Sequence, residues 1–180
     1  MQLKPRGFLL LEVLVALLLA ALALLALAGS QARAVRAVRS GQQAGQALML
    51  AQDLAERLRT QPGLAVQDGS PYELLLSWSA QQAGASPVAE ACNGAEAPCT
   101  AEAFARADFA QWRSLLARSL PASAAYVDAD PAHGVVQLWV AWREPPLAVD
   151  ELAGAEGECP AGLGVDAASG VRCVFLKVRP

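Results

Sequence analysis

At 180 residues, with a formal charge of −3 and four cysteines, the chain supports one modest domain plus an anchor and leaves no room for a second enzyme-sized domain. Its 17 acidic against 14 basic residues give no electrostatic reason to bind nucleic acid, and loss of Lys4 and Arg6 would make the surface more negative still. The cysteines, Cys92, Cys99, Cys159 and Cys173, all lie in the C-terminal half and none forms a C-x-x-C pair, so they point to disulfides in an exported protein rather than to a metal or redox site.

The chain opens on a short polar, basic segment, residues 1–7, that ends Lys4-Pro-Arg6-Gly7. From Phe8 to Ala28 the composition is apolar with a single charge, Glu12. About 21 residues make ~31 Å of helix, which matches the ~30 Å hydrocarbon core of a bilayer, so the segment can span once. A carboxylate within it costs about 2.5–3.5 kcal/mol on insertion scales, so a lone one has a task or a partner. Lys4 and Arg6 precede the run and Arg33, Arg36 and Arg39 follow it, so charge counting leaves the orientation open. Ala26-Leu27-Ala28 before Gly29 also has the form of an ordinary secretory cleavage site, although the run is long for a signal and contains Glu12. A generic uncleaved anchor is the other plain reading of the same stretch.

No proline occurs between residues 8 and 60, and Pro62-Gly63 supplies the stop. Val35 and Val38, then Leu50, Leu54 and Leu58, recur at helical spacing with Arg and Gln on the other face. The pattern predicts one helix of roughly 50 residues, ~75 Å long, whose second half, 29–60, is amphipathic and needs a globular partner. Gly29, Gly41 and Gly45 are its weak points.

A globular region, 61–180, follows. Tyr72–Trp78 is an apolar run that periodicity alone does not assign to helix or strand, and residues 80–100 read as a loop around Cys92 and Cys99. Thr100 is a fit N-cap for a second helix with Phe104, Phe109, Trp112, Leu115 and Leu116 on its apolar face, ended at Leu120-Pro121. Ala125–Val127, Val135–Trp142 and Val171–Val178 carry strand composition. In the last of these Arg172, Val174, Leu176 and Val178 share one face, and in the middle one Trp139 and Trp142 fall on opposite faces. Four cysteines allow three pairings; Cys92–Cys99 with Cys159–Cys173 is the simplest, while a long-range bond to the C-terminal strand stays open. These pieces make an α+β plan: a long helix against a small antiparallel sheet, with a second helix and disulfide-closed loops.

No constellation for catalysis is visible. His133, the single histidine, lies in the turn sequence Asp-Pro-Ala-His-Gly, which excludes a multi-histidine metal site. Asp128, Asp130, Asp150 and Glu151 lack the spacing of a calcium loop. There is no G-x-S-x-G, P-loop or dinucleotide-binding motif, so the chain is read as a non-enzyme that needs no cofactor and no metal. Trp78, Trp112, Trp139 and Trp142 read as core or subunit-contact residues.

Lys4-Pro-Arg6-Gly7 followed by Phe8, and by Glu12 four residues later, resembles the leader and cleavage site of type IV prepilins. The resemblance implies a pilin-like fold, cleavage by prepilin peptidase between Gly7 and Phe8, N-methylation of Phe8, and a Glu12 carboxylate that compensates the Phe8 amine of a neighbouring subunit. Later segments are similar to one branch, the minor pilins called type IV pilus modification protein PilV: Leu54-Ala-Glu-Arg-Leu-Arg59, Cys92-Asn-Gly with Cys99, Ala107-Asp-Phe-Ala-Gln-Trp112, Ser119-Leu-Pro121 and Val136-Gln-Leu-Trp-Val-Ala-Trp-Arg143. By that resemblance the protein sits in the inner membrane as a single-pass chain with a periplasmic C-terminal domain and can reach the pilus surface after assembly. Its expected partners are prepilin peptidase, other minor pilins, the major pilin, the inner-membrane assembly platform and membrane lipid. A minor pseudopilin of a type II secretion system shares the same N-terminal logic, and a membrane-anchored or secreted binding domain unrelated to pili is the alternative from another class.

Overall fold

The computed structural model describes residues 8–84, 92, 99–144, 159–166 and 169–180, with side chains from Leu10 onward. The elements are α1 (Phe8–Thr60), α2 (Pro62–Ala65), α3 (Trp78–Gln82), α4 (Ala101–Ser119), β1 (Ala124–Asp130), β2 (Val135–Arg143), a 3-10 turn (Ala161–Leu163) and β3 (Val171–Val178). The chain divides into two compact units, Met1–Gln42 and Gln43–Pro180. In the first, the described residues are one helix without a break, and every side chain from Leu10 to Arg39 is exposed. Gly29 and Gly41, where propensity would permit a bend, lie within that helix, as does Gly45 beyond it.

The second unit has an α+β core. Ala47, Ala51 and Ala55 recur every four residues, as do Leu50, Leu54 and Leu58 offset by three, so the six form one stripe on α1, and all are buried. Ala105, Phe109, Trp112 and Leu116 form the matching stripe on α4. Both belong to one apolar cluster with Val127 of β1 and with Val136, Leu138, Val140 and Trp142 of β2, while Val178 closes it from β3. Two polar contacts fix α4 against α1. The Trp112 indole Nε1–H donates to the Leu50 carbonyl at 3.0 Å, and Arg57 bridges Asp53 (3.1 Å) and Asp108.

Thr100 caps α4 through its hydroxyl, which accepts from the Ala103 N–H at 3.1 Å, as its position predicts. The apolar face of α4 differs from the expected one. Ala105 takes the place assigned to Phe104, which is 52% exposed, and Leu115 is 38% exposed. The buried stripe follows the 4-3-4 spacing 105, 109, 112, 116, and large residues one position off it turn outward.

The sheet is a three-stranded antiparallel meander in the order β1-β2-β3. Gly134, at φ +62, closes the β1–β2 turn in a conformation that a side chain disfavours. Tyr72–Trp78 is neither a helix nor a full strand. Leu74 makes an isolated antiparallel bridge to Val127, donating to its carbonyl at 2.9 Å and accepting from its N–H at 3.0 Å. Trp78 then starts α3, capped by Ser77. Gln81 of α3 extends the same edge cover: its carboxamide donates to the Ala125 carbonyl at 2.8 Å and accepts from the Ala125 N–H at 3.1 Å.

The other sheet face carries a smaller cluster of Trp78, Ala124, Ala141, Leu163, Val171 and Cys173. Beyond it runs a cross-strand aromatic row, with Tyr126 to Trp139 at 5.9 Å and Trp139 to Phe175 at 4.6 Å between ring centroids. Trp139 and Trp142 thus occupy opposite faces; Trp142 lies in the main core and Trp139 is half-buried. Cys159 pairs with Cys173 across a Cα–Cα distance of 5.2 Å, and Cys92 pairs with Cys99 across 5.9 Å. The loop expected around Cys92 and Cys99, and the connection that holds Asp150 and Glu151, otherwise lie outside the described residues.

Candidate functional site

Phe8 to Ala28 are leucine, alanine, valine and phenylalanine apart from Glu12, a composition of good helix formers without a breaker. From Leu10 to Ala28 the resulting helix buries none of its apolar side chains: Leu10 is 71% exposed and Leu25 69%. Among the described residues α1 is the one helix long and apolar enough to cross a membrane. A water-exposed surface of that kind has to be covered, by lipid or by other helices.

Glu12 lies in this surface, just over one turn from the start of α1. The next ionisable residue along the helix is Arg33, 21 positions on, or about 31 Å along the axis. No base of the described α1 can therefore neutralise Glu12 from within its own helix. Gly7 lies outside the described residues, and Phe8 is the first residue of α1 with its side chain outside them.

Among its described residues the second unit brings together no constellation for reaction chemistry. His133 is exposed in the β1–β2 turn, where its Nδ1 lies 2.7 Å from Asp130 Oδ2 and its backbone N–H donates to Asp130 Oδ1 at 3.1 Å. Burial acts to raise the Asp130 carboxyl, but the hydrogen bonds and charge of His133 outweigh it and hold the group below its ordinary value. Tyr72 is pushed up, first by burial and then by Asp108, with Arg57 opposing. The described residues contain no group of three or more side chains able to hold a metal. A hollow of about 340 Å³ between α1 and α4, lined by Met49, Leu50, Asp53, Arg57 and Leu115, has no nucleophile paired with a base. Its charged groups are already engaged, since Arg57 holds both Asp53 and Asp108.

The Asp53–Arg57–Asp108 bridge and the Trp112–Leu50 hydrogen bond were not read from the sequence. Asp53 and Arg57 do stand four apart on one helix, a spacing that signals a pair. Nothing local indicates that Asp108, 51 positions away, completes it.

An exposed membrane-length helix and an α+β fold with a three-stranded antiparallel meander and two disulfides make a pilin-like architecture. The family model described as Tt1218-like, Type IV pilin Tt1218, matches residues 29–110 of this chain. The match begins where the apolar run ends, so it is independent of the Gly7–Phe8–Glu12 pattern. No curated protein and no solved structure gives a significant match. A pilin acts as a structural subunit, by association with other pilus components, and a membrane anchor accords with the apolar helix.

Proposed function

We propose that the chain is a minor pilin of the PilV type. Prepilin peptidase cleaves it after Gly7 and methylates Phe8, residues 8–28 hold it in the inner membrane, and the C-terminal domain faces the periplasm until the subunit enters a type IV pilus. Its place is the priming or tip complex, together with other minor pilins, the major pilin and the assembly platform, in support of pilus-dependent motility or adhesion.

The observation that carries this reading is the fully exposed apolar part of α1 with Glu12 as its one charge. Buried alone in lipid or among helices, that carboxylate is costly; beside a positive amine supplied by a neighbouring subunit, two unpaired charges disappear from an apolar environment. After cleavage, the Phe8 amine would be the positive group closest to Glu12 in sequence. N-terminal mass spectrometry of membrane and sheared-pilus fractions tests the reading. An N-methylated Phe8 is expected, whereas a mature chain starting at Gly29 would identify ordinary secretion and remove the pilin assignment.

A further inference from the structure

Past the apolar run, α1 carries Arg33, Arg36 and Arg39 at three-residue intervals. At 100° per residue the three fall within about 120° of the helix circumference, so they make one basic face. All are exposed, and Val35 and Val38, 62% and 61% exposed, occupy the other side. The sequence holds no acid between Glu12 and Asp53, so no i±3 or i±4 carboxylate is available to these bases. None takes part in an ion pair among the described residues.

Their height along the helix is fixed because α1 is continuous. Measured from Ala28, Arg33 lies about 7.5 Å, Arg36 about 12 Å and Arg39 about 16.5 Å further along the axis. The polar headgroup layer extends about 5–8 Å beyond the hydrocarbon on each side. Side chains on a helix lean toward its N-terminus, which here is the direction of the apolar run, and an arginine stem adds roughly a further helical turn of reach. Arg33 and Arg36 therefore bring their guanidinium groups into the phosphate layer and Arg39 brings its own to the outer margin, which a tilt of the helix by ~20° lowers slightly. A planar guanidinium donates two parallel N–H bonds to phosphate oxygens.

We infer that Arg33, Arg36 and Arg39 form a ladder that binds the phosphates of anionic phospholipid where α1 leaves the bilayer. The inference rests on residues 8–28 spanning the membrane, and it describes the membrane-resident chain. It also gives a reason for three arginines on this flank of the run against Lys4 and Arg6 on the other, a distribution that works against an N-terminus-inside orientation.

The test uses the full chain, purified in detergent and mixed with phosphatidylglycerol or phosphatidylcholine, with retained lipid counted by native mass spectrometry. The unmodified chain retains phosphatidylglycerol in preference. The triple variant Arg33→Gln, Arg36→Gln, Arg39→Gln loses the preference, each arginine contributing about fivefold. Three Arg→Lys changes keep part of it, because charge remains while the planar fork is lost. Equal retention of the two lipids by the unmodified chain, or unchanged phosphatidylglycerol retention in the Gln variant, overturns the inference. So does a result in which the arginines affect only cross-linking to an acidic neighbouring protein. Extraction of membranes at alkaline pH separates the two levels: release of the unmodified chain would refute the span itself, whereas a Gln variant that stays membrane-bound but shows no lipid preference supports the ladder.

Discussion

Trp112→Phe probes the joint on which the core of the second unit depends. Trp112 is fully buried, stacks on Phe109 at 5.8 Å and donates its indole N–H to the Leu50 carbonyl of α1. Phenylalanine keeps one ring and the apolar character but gives up the donor. A net hydrogen bond is worth about 1 kcal/mol, and the Leu50 carbonyl is not orphaned by the change because it lies within a helix and keeps its place in the backbone ladder. The smaller ring also vacates volume in a packed core, which adds about 1–2 kcal/mol in transfer and cavity terms. The expected loss is about 2–3 kcal/mol, a large part of a typical domain's stability of about 5–15 kcal/mol. Urea unfolding of the full chain in detergent, followed by the fluorescence of Trp78, Trp139 and Trp142, would show a lower midpoint at unchanged slope. Phe104→Ser on the same helix, at a position 52% exposed, should move stability by no more than about 0.5 kcal/mol. Equal effects from the two substitutions, or no shift for Trp112→Phe, would refute the stripe of 105, 109, 112 and 116 as the contact face.

Glu12→Gln should leave expression, cleavage and the unfolding midpoint of the second unit unchanged while pilus incorporation falls, because Glu12 touches nothing in the described fold; normal incorporation by immunoblot of sheared pili would contradict its assembly role. Cys159→Ser with Cys173→Ser opens a loop of sequence separation 14 and should cost about 3 kcal/mol in the chain-entropy model, read as a lowered denaturation midpoint in the absence of reductant. Asp130 titrates below its ordinary value of 3.8 in the fold, so its contribution is present above that value and is lost as pH falls through the folded value. His133→Ala removes the imidazole hydrogen bond and charge while the backbone N–H bonds to Asp130 remain, and NMR titration of the Asp130 carboxyl should then show it move part of the way upward toward the ordinary value.

The features legible in the sequence are those with a local cause. The uninterrupted α1 follows from a run without proline, the Thr100 cap from a hydroxyl placed before an acidic first turn, and β2 and β3 from branched and aromatic composition that tertiary contacts had no reason to override. What escaped reading has a non-local cause. Tyr72–Trp78 offered no period that decides between helix and strand, because its conformation is set by the outer edge of β1, about 50 residues away, to which only Leu74 bonds in strand fashion. Phe104 and Leu115 were expected on the core face of α4 because size and hydrophobicity outvoted register, yet the stripe passes through the small Ala105. Glu12 stands out from composition alone, since one charge in a membrane-length apolar run is costly wherever the run resides.

The cover over β1 bears on how such a chain associates. A subunit that assembles through an exposed helix must avoid associating through its sheet, and a free strand edge is a template for unwanted pairing. The N–H and carbonyl of Val127 are taken by Leu74, and those of Ala125 by the Gln81 carboxamide, which acts as one residue of an added strand. Gln82 donates from its side chain to the Ser123 carbonyl at 3.0 Å and extends the same cover. Leu74 and the short helix α3 thus cover the outer edge of β1 as far as Val127, together with the Ser123 carbonyl just before it. The apolar surface of residues 10–28 has no such cover among the described residues. On the pilin function proposed above, covering β1 while leaving α1 exposed would direct the contact between subunits to the helix, where Glu12 would select a partner in register.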